Sequence, residues 1–128
     1  MKEVIGFTGH RNVLCDEENL KYIENEYGND AIWVHGGAVG FDSQVADYAK
    51  NHNIAQVVLE PLYDLFDGRK APIHRNCSIV RCCNQLVACY DGRVGGGTRF
   101  TIDYAVKFNK QVIIFKPNRY IGGQAWGK

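Results

Sequence analysis

The chain has 128 residues, 45% hydrophobic and 23% charged, the composition of one soluble globular domain long enough to bury a real core. Its 15 basic and 14 acidic residues leave a formal net charge of +1, too small an excess to advertise a polyanion-binding surface, which disfavours a nucleic-acid partner. No apolar run nears the roughly 20 residues of a membrane span, and an odd set of five cysteines does not suit a secreted disulfide scaffold.

In chain order, residues 4–7 read as a short strand. Met1-Lys2-Glu3 leads straight into it with no signal peptide, so a reduced, cytoplasmic protein is expected. Residues 16–27 read as a helix, with Leu20, Ile23 and Tyr27 on one apolar face and acids in the first turn, where the helix dipole favours them. A strand at 31–35 precedes a helix over 39–52, whose Phe41, Val45 and Ala49 recur every fourth residue. Residues 56–59 form the next strand, and a long connection follows from Glu60 to about Ile73. A short helix at 74–83, a strand at 85–90, a helix at 98–109 and a strand at 111–115 complete the pattern, and Pro117 ends the last strand. Strands alternating with helices dictate an α/β fold, one parallel sheet of about five strands covered by helices on both faces. The whole chain, 1–128, reads as one domain. Its glycine-bearing tail, 118–128, reads as loose or as an oligomer contact.

Three glycine-bearing segments close strands: Thr8-Gly9-His10-Arg11, His35-Gly36-Gly37-Ala38-Val39-Gly40, and Gly95-Gly96-Gly97-Thr98. In a parallel sheet they share one rim, where open α/β sheets bind their ligands. Glycines ahead of a helix place unpaired N–H groups beside the positive dipole end, an anion site. Thr98 reads as an N-cap or as a phosphate-facing hydroxyl, and Arg93 and Arg99 flank the loop as sources of charge. Arg11 suits bidentate contact with a phosphate. His10 is a proton-transfer group or a structural histidine. Asp42 takes ribose hydroxyls or simply complements the helix dipole. The long connection and the helix after it hold Tyr63, Phe66, Arg69, Lys70, His74, Arg75 and Asn76, a set that suits stacking on a base and gripping a sugar phosphate, or else a solvated loop. No Cys-x-x-Cys or clustered histidine points to a metal, and no cofactor is implied.

Taken in order, Thr8-Gly9-His10-Arg11, His35-Gly36-Gly37-Ala38-x-Gly40-x-Asp42, Gly68-Arg69-x-Ala71-Pro72-Ile73-x-Arg75-Asn76 and Gly97-Thr98 resemble the SLOG superfamily, most closely its small stand-alone YspA-type (cpYpsA-related) branch. The resemblance runs from about Lys2 to Phe115. It implies a Rossmann-like, doubly wound fold that binds nucleotides or nucleotide-derived ligands, often as a homodimer or larger homo-oligomer. Some relatives sense NAD-derived or ADP-ribose-type signals in bacterial antiphage defence, lonely-guy enzymes hydrolyse the N-glycosidic bond of nucleoside monophosphates, and Smf-type relatives bind single-stranded DNA. The hydrolase motif Pro-Gly-Gly-x-Gly-Thr-x-x-Glu is matched at Gly97-Thr98 but holds Thr101 at the glutamate position. A threonine supplies no carboxylate to an oxocarbenium-like transition state. Asp103 lies two residues on, about 200° around a helix.

The resulting expectation is binding of a phosphorylated nucleotide or nucleotide-derived signal, ADP-ribose-like, NAD-derived or cyclic, without turnover. In one version the protein is a sponge that sequesters an immune signal in the cytoplasm of a bacterium or a phage-infected cell, because no effector domain is attached. A nucleotide N-glycosidase using Asp42, His10 or Asp103 is the enzymatic alternative, and single-stranded nucleic-acid binding the weaker one. The expected ligand-binding residues are Thr8, Gly9, His10, Arg11, Gly36, Gly37, Ala38, Asp42, Arg69, Arg75, Asn76, Gly95, Gly96, Gly97, Thr98 and Arg99.

Overall fold

The structure, a computed structural model, describes residues 2–121. In chain order its elements are β1 (Val4–Gly9), β2 (Val13–Leu14), α1 (Glu17–Tyr27), β3 (Ile32–His35), α2 (Phe41–Asn51) and β4 (Gln56–Val58), then α3 (Lys70–Cys82), β5 (Gln85–Cys89), α4 (Gly96–Lys107), β6 (Gln111–Phe115) and β7 (Arg119–Tyr120). Five strands form one sheet in the order β4-β3-β1-β5-β6, every pair parallel. The central β1 pairs Ile5 with Trp33 of β3 on one side and with Gln85 of β5 on the other. The order reverses there, so a crevice opens outside the carboxyl ends of β1 and β5.

Period-two alternation in β1 separates two cores. Ile5 and Phe7 pack with Leu20 and Ile23 of α1 and with Phe41 and Val45 of α2. On the other face, Ile79 and Val80 of α3 and Ala105 of α4 pack with Val34 and Leu86. Helices thus cover both faces of the parallel sheet, a Rossmann-like fold. Gly6 sits under α3, where a methyl group would come within 2.9 Å of Ile79 Cγ2. The helix therefore lies directly on the backbone of the central strand.

Several boundaries differ from the sequence expectation: β1 runs on to Gly9, α2 spans Phe41–Asn51 rather than 39–52, and two further helix starts move for identifiable reasons. Helix α3 starts at Lys70 rather than at 74, because the Asp67 carboxylate accepts from the Arg69 and Lys70 amides, both at 3.1 Å. Pro72 then falls in the first turn, where its missing N–H has no helical partner to lose. Helix α4 starts at Gly96 rather than at 98, so the glycines form its cap and first turn instead of a loop before it. The tail from 118 was expected to be loose or an oligomer contact; its first residues are not loose, because β7 pairs antiparallel with β2 and the Asn118 and Ile121 amides donate to the Leu14 and Asn12 carbonyls. The remaining tail, 122–128, lies outside the described residues. Among the described residues, no helix is long and apolar enough to cross a membrane.

Candidate ligand-binding site

The loop after β1, the turn from β3 into α2, the start of α4 and the first turns of α3 line one cavity of about 900 Å³. That volume lies in the range of small-molecule sites. The cavity takes in every expected binding residue except Arg69, Gly95 and Arg99. Gly95 stands just behind it as the N-cap of α4. Arg69 is exposed.

The start of α4 lines the cavity without a capping side chain. Gly95 and Gly96 take φ of 82° and 87°, backbone that disfavours side chains, and no side chain caps the helix. Thr98 is therefore not the N-cap; it is buried in the first turn and lines the cavity. Thr101 is fully buried and donates its hydroxyl to the Gly97 carbonyl at 2.7 Å, which ties the first turn to the second. Helix geometry leaves the amides of the first turn without an intrahelical acceptor, and no side chain takes their place. Asn76 of α3 sits alongside, its Nδ2 3.5 Å from where a Gly97 side chain would begin.

The turn after β3 behaves differently, and here the expectation of bare amides is corrected. Asp42 Oδ2 accepts from the Gly36 and Ala38 amides, each at 3.2 Å, and the Gly37 amide donates to His35 Nδ1 at 3.0 Å. All three amides are engaged within the protein, so this turn holds an acid rather than a phosphate. Asp42 is 6% exposed, and its other oxygen, Oδ1, is buried without a protein donor. Burial raises the Asp42 pKa, against the opposing pull of the Ala38 amide and the Arg75 charge. Gly40, at φ 80° and ψ −130°, packs on the Arg11 backbone, and a side chain there would overlap the Arg11 carbonyl. Gly40→Ala is expected to destabilise the fold by about 2 kcal/mol, read as a lower urea midpoint.

The four arginines around the rim sort into two kinds. Arg11 is exposed, lines the cavity and has no anionic partner among the described residues. Arg75 donates through Nη1 to the Gly36 carbonyl at 2.8 Å and through Nε to Asn76 Oδ1 at 2.8 Å, so its guanidinium is held in one orientation. A side chain at Gly36 would overlap that guanidinium, which explains the glycine. Burial lowers the Arg75 pKa, Asp42 opposes this, and the Arg11 charge adds to the lowering. Two like charges on one cavity are stabilised by an anion between them. Arg93 and Arg99, by contrast, are already neutralised. Arg93 makes a bidentate pair with Asp91, and Arg99 pairs with Asp103 one helical turn away at 3.1 Å, outside the cavity.

Sequence reasoning missed Asp91, which organises the floor of the β1 loop. This carboxylate is held by Arg93 Nη2 at 2.6 Å and by the Tyr120 hydroxyl at 2.9 Å, and it faces His10 Nε2 at 3.1 Å. Arg93 above all holds its pKa well below the usual aspartate value. His10 is buried, and its pKa is lowered by burial and then by Arg93. Its Nε2 also lies 3.3 Å from the Asp91 amide, so a proton on Nε2 favours the carboxylate contact and a lone pair the amide contact. Tyr120 reaches Asp91 only through the β2–β7 ribbon, across a separation no local pattern records. From the connection after β4, Glu60 and Tyr63 line the cavity, whereas Phe66 stacks on His74 with ring centroids 4.4 Å apart. Among the described residues, no group of three His, Cys, Asp or Glu side chains is placed to hold a metal ion.

No protein-family model matches the chain, and a search of the curated proteins returned no match.

Proposed function

We propose that the protein binds a phosphorylated nucleotide or a nucleotide-derived signal, of the ADP-ribose, NAD-derived or cyclic kind, as the SLOG resemblance implies. One observation carries the reading: the uncapped start of α4 opens on the same cavity as Arg11 and Arg75, whose charges lack a full set of protein partners. Helix-end amides and guanidinium groups are the two donor types that recognise phosphate oxygens. A cavity of about 900 Å³ leaves room for a sugar and a base beyond the phosphate. Binding without turnover is favoured because Thr101 is turned back onto Gly97 and Asp103 is engaged by Arg99 outside the cavity. Calorimetry against AMP, ADP, cyclic adenine nucleotides and ADP-ribose tests the reading, with mass spectrometry of the recovered ligand. Binding with the ligand chemically unaltered is the expected result, and no binding across that panel ends the proposal.

A second reading, hydrolysis of the N-glycosidic bond, is favoured by Asp42 alone, a buried carboxyl with a raised pKa on the cavity wall. Incubation of AMP with high protein concentrations decides it: free adenine supports hydrolysis, and intact AMP after prolonged incubation removes it. The resemblance also carries the proposal of a homodimer or larger homo-oligomer, which light scattering on the purified chain tests directly.

A further inference from the structure

His10 has one nitrogen on an anion of the protein and the other toward the cavity. Its ring lines the cavity from the loop after β1 and is 5% exposed. Nε2 lies 3.1 Å from Asp91 Oδ1, a carboxylate kept ionised by Arg93 and held by the Tyr120 hydroxyl of β7. Nδ1 makes no hydrogen bond with the described residues yet retains accessible surface, so an atom the size of water reaches it. Few other groups face the ring. Asp91 and Arg93 act on it from the loop after β5, the Tyr90 ring lies 5.6 Å away between centroids, and Arg99 of α4 reaches only the Tyr90 hydroxyl. Burial, then Arg93, favours the neutral ring while no ligand is bound, and Asp91 opposes them.

A neutral imidazole has one proton for two nitrogens. With that proton on Nε2, toward Asp91, the Nδ1 lone pair faces the cavity and repels a phosphate oxygen. With it on Nδ1, the Nε2 lone pair faces the Asp91 carboxylate instead. Only the imidazolium donates in both directions. Arg11 is the next residue, and Gly9 pairs with Cys89 of the strand that leads into α4, so His10 lies beside the groups that suit a phosphate. An anion there favours the charged ring even without touching it. We infer that the site takes up a proton at His10 together with its anionic ligand, and so holds a phosphorylated ligand more tightly as pH falls. This rests on the phosphate-ligand reading above and adds its regulation by pH. The direction follows from linkage, because a group that binds more protons in the complex than in the unliganded protein strengthens binding as pH falls. His35 cannot play this part: its Nδ1 accepts from the Gly37 amide and its Nε2 lies 2.7 Å from Gln56 Oε1.

Calorimetry on the full chain with ADP-ribose tests the coupling. The doubly esterified pyrophosphate of ADP-ribose keeps its charge across the neutral range, whereas a phosphate monoester such as AMP titrates near about pH 6. At about pH 6.5, the ordinary histidine value, titrations in two buffers of different ionisation enthalpy are expected to show net uptake of about half a proton per ligand. The Kd is expected to tighten about 5–10-fold between about pH 8 and about pH 6. In His10→Asn, whose amide still has a donor for Asp91 but does not titrate, the uptake is expected to vanish and the pH profile to flatten. Should that variant fail to fold, ring-proton NMR of the parent takes its place: one histidine is expected to titrate at higher pH with ADP-ribose bound than without. Binding with no proton exchange overturns the inference, as does uptake that persists in folded His10→Asn, or histidine titrations that ADP-ribose leaves unmoved. If AMP binds and ADP-ribose does not, the difference in proton uptake between parent and His10→Asn with AMP decides in the same way. If neither binds, the phosphate reading itself falls and takes the coupling with it; binding without proton uptake removes only the coupling.

Discussion

Arg11→Ala is expected to weaken binding of AMP or ADP-ribose by about 1.5–3 kcal/mol, the worth of a charge-assisted contact. Its thermal midpoint is expected to stay at the parent value. Arg11 is exposed and makes no hydrogen bond or ion pair with the described residues, so the folded protein loses nothing when the guanidinium goes. Arg75→Ala is expected to cost as much affinity and also some stability, because Arg75 bridges α3 to the Gly36 carbonyl. Arg75→Lys separates the two effects: it keeps the charge but not the fork geometry, so affinity recovers only in part. The double variant is expected to fall short of additivity, since both guanidinium groups address one anion. Affinity unchanged in both single variants, measured by calorimetry at fixed ionic strength, would place the ligand elsewhere on the molecule.

The largest effect on stability is expected at Asp91. Asp91→Ala leaves the Arg93 guanidinium, the His10 ring and the Tyr120 hydroxyl without their common acceptor, with Asp91 at 5% and Arg93 at 16% side-chain exposure. Breaking one side of a largely buried pair costs about 3 kcal/mol, read as a lower urea midpoint. The pH dependence follows from the direction of the shift. The folded protein holds the Asp91 pKa below its ordinary 3.8, so the unfolded chain binds the proton more readily. The stabilisation is complete above that ordinary value and disappears as pH falls through the depressed one. His10 acts in the same sense at milder acidity, since its pKa lies below the ordinary 6.5 and the folded state resists its protonation. The parent protein is therefore expected to lose stability steeply below about pH 4, and Asp91→Asn to show a shallower acid limb. Parallel acid limbs in parent and variant would remove Asp91 from this role.

Much of the site could be read from residue types, and the part that could not shares one cause. Arg11, Arg75 and the Gly95–Thr98 segment carry donor chemistry in their own composition, and their strands bring them to one rim whatever the packing detail. Whether a given donor remains available is a different question. The engagement of Arg99 by Asp103 follows a one-turn spacing that the sequence does contain. The Asp91–Arg93 clasp needs a turn with Gly92 at φ 90°, and the capture of the Gly36 and Ala38 amides by Asp42 needs the chain to fold back on itself. The β2–β7 ribbon uses two residues per strand, too few to register as a period.

The amino-acid order alone determined the α/β class, the five parallel strands and the rim on which the glycines and cations gather. Those properties follow from hydrophobic period and from backbone freedom, which are local. Only the folded arrangement decided which charges are cancelled, which amides stay bare and which carboxylate oxygen is left without a donor. Each of these is set by a partner distant in the chain or by a turn's dihedral angles, and electrostatic balance depends on separations of a few ångströms that linear spacing does not encode.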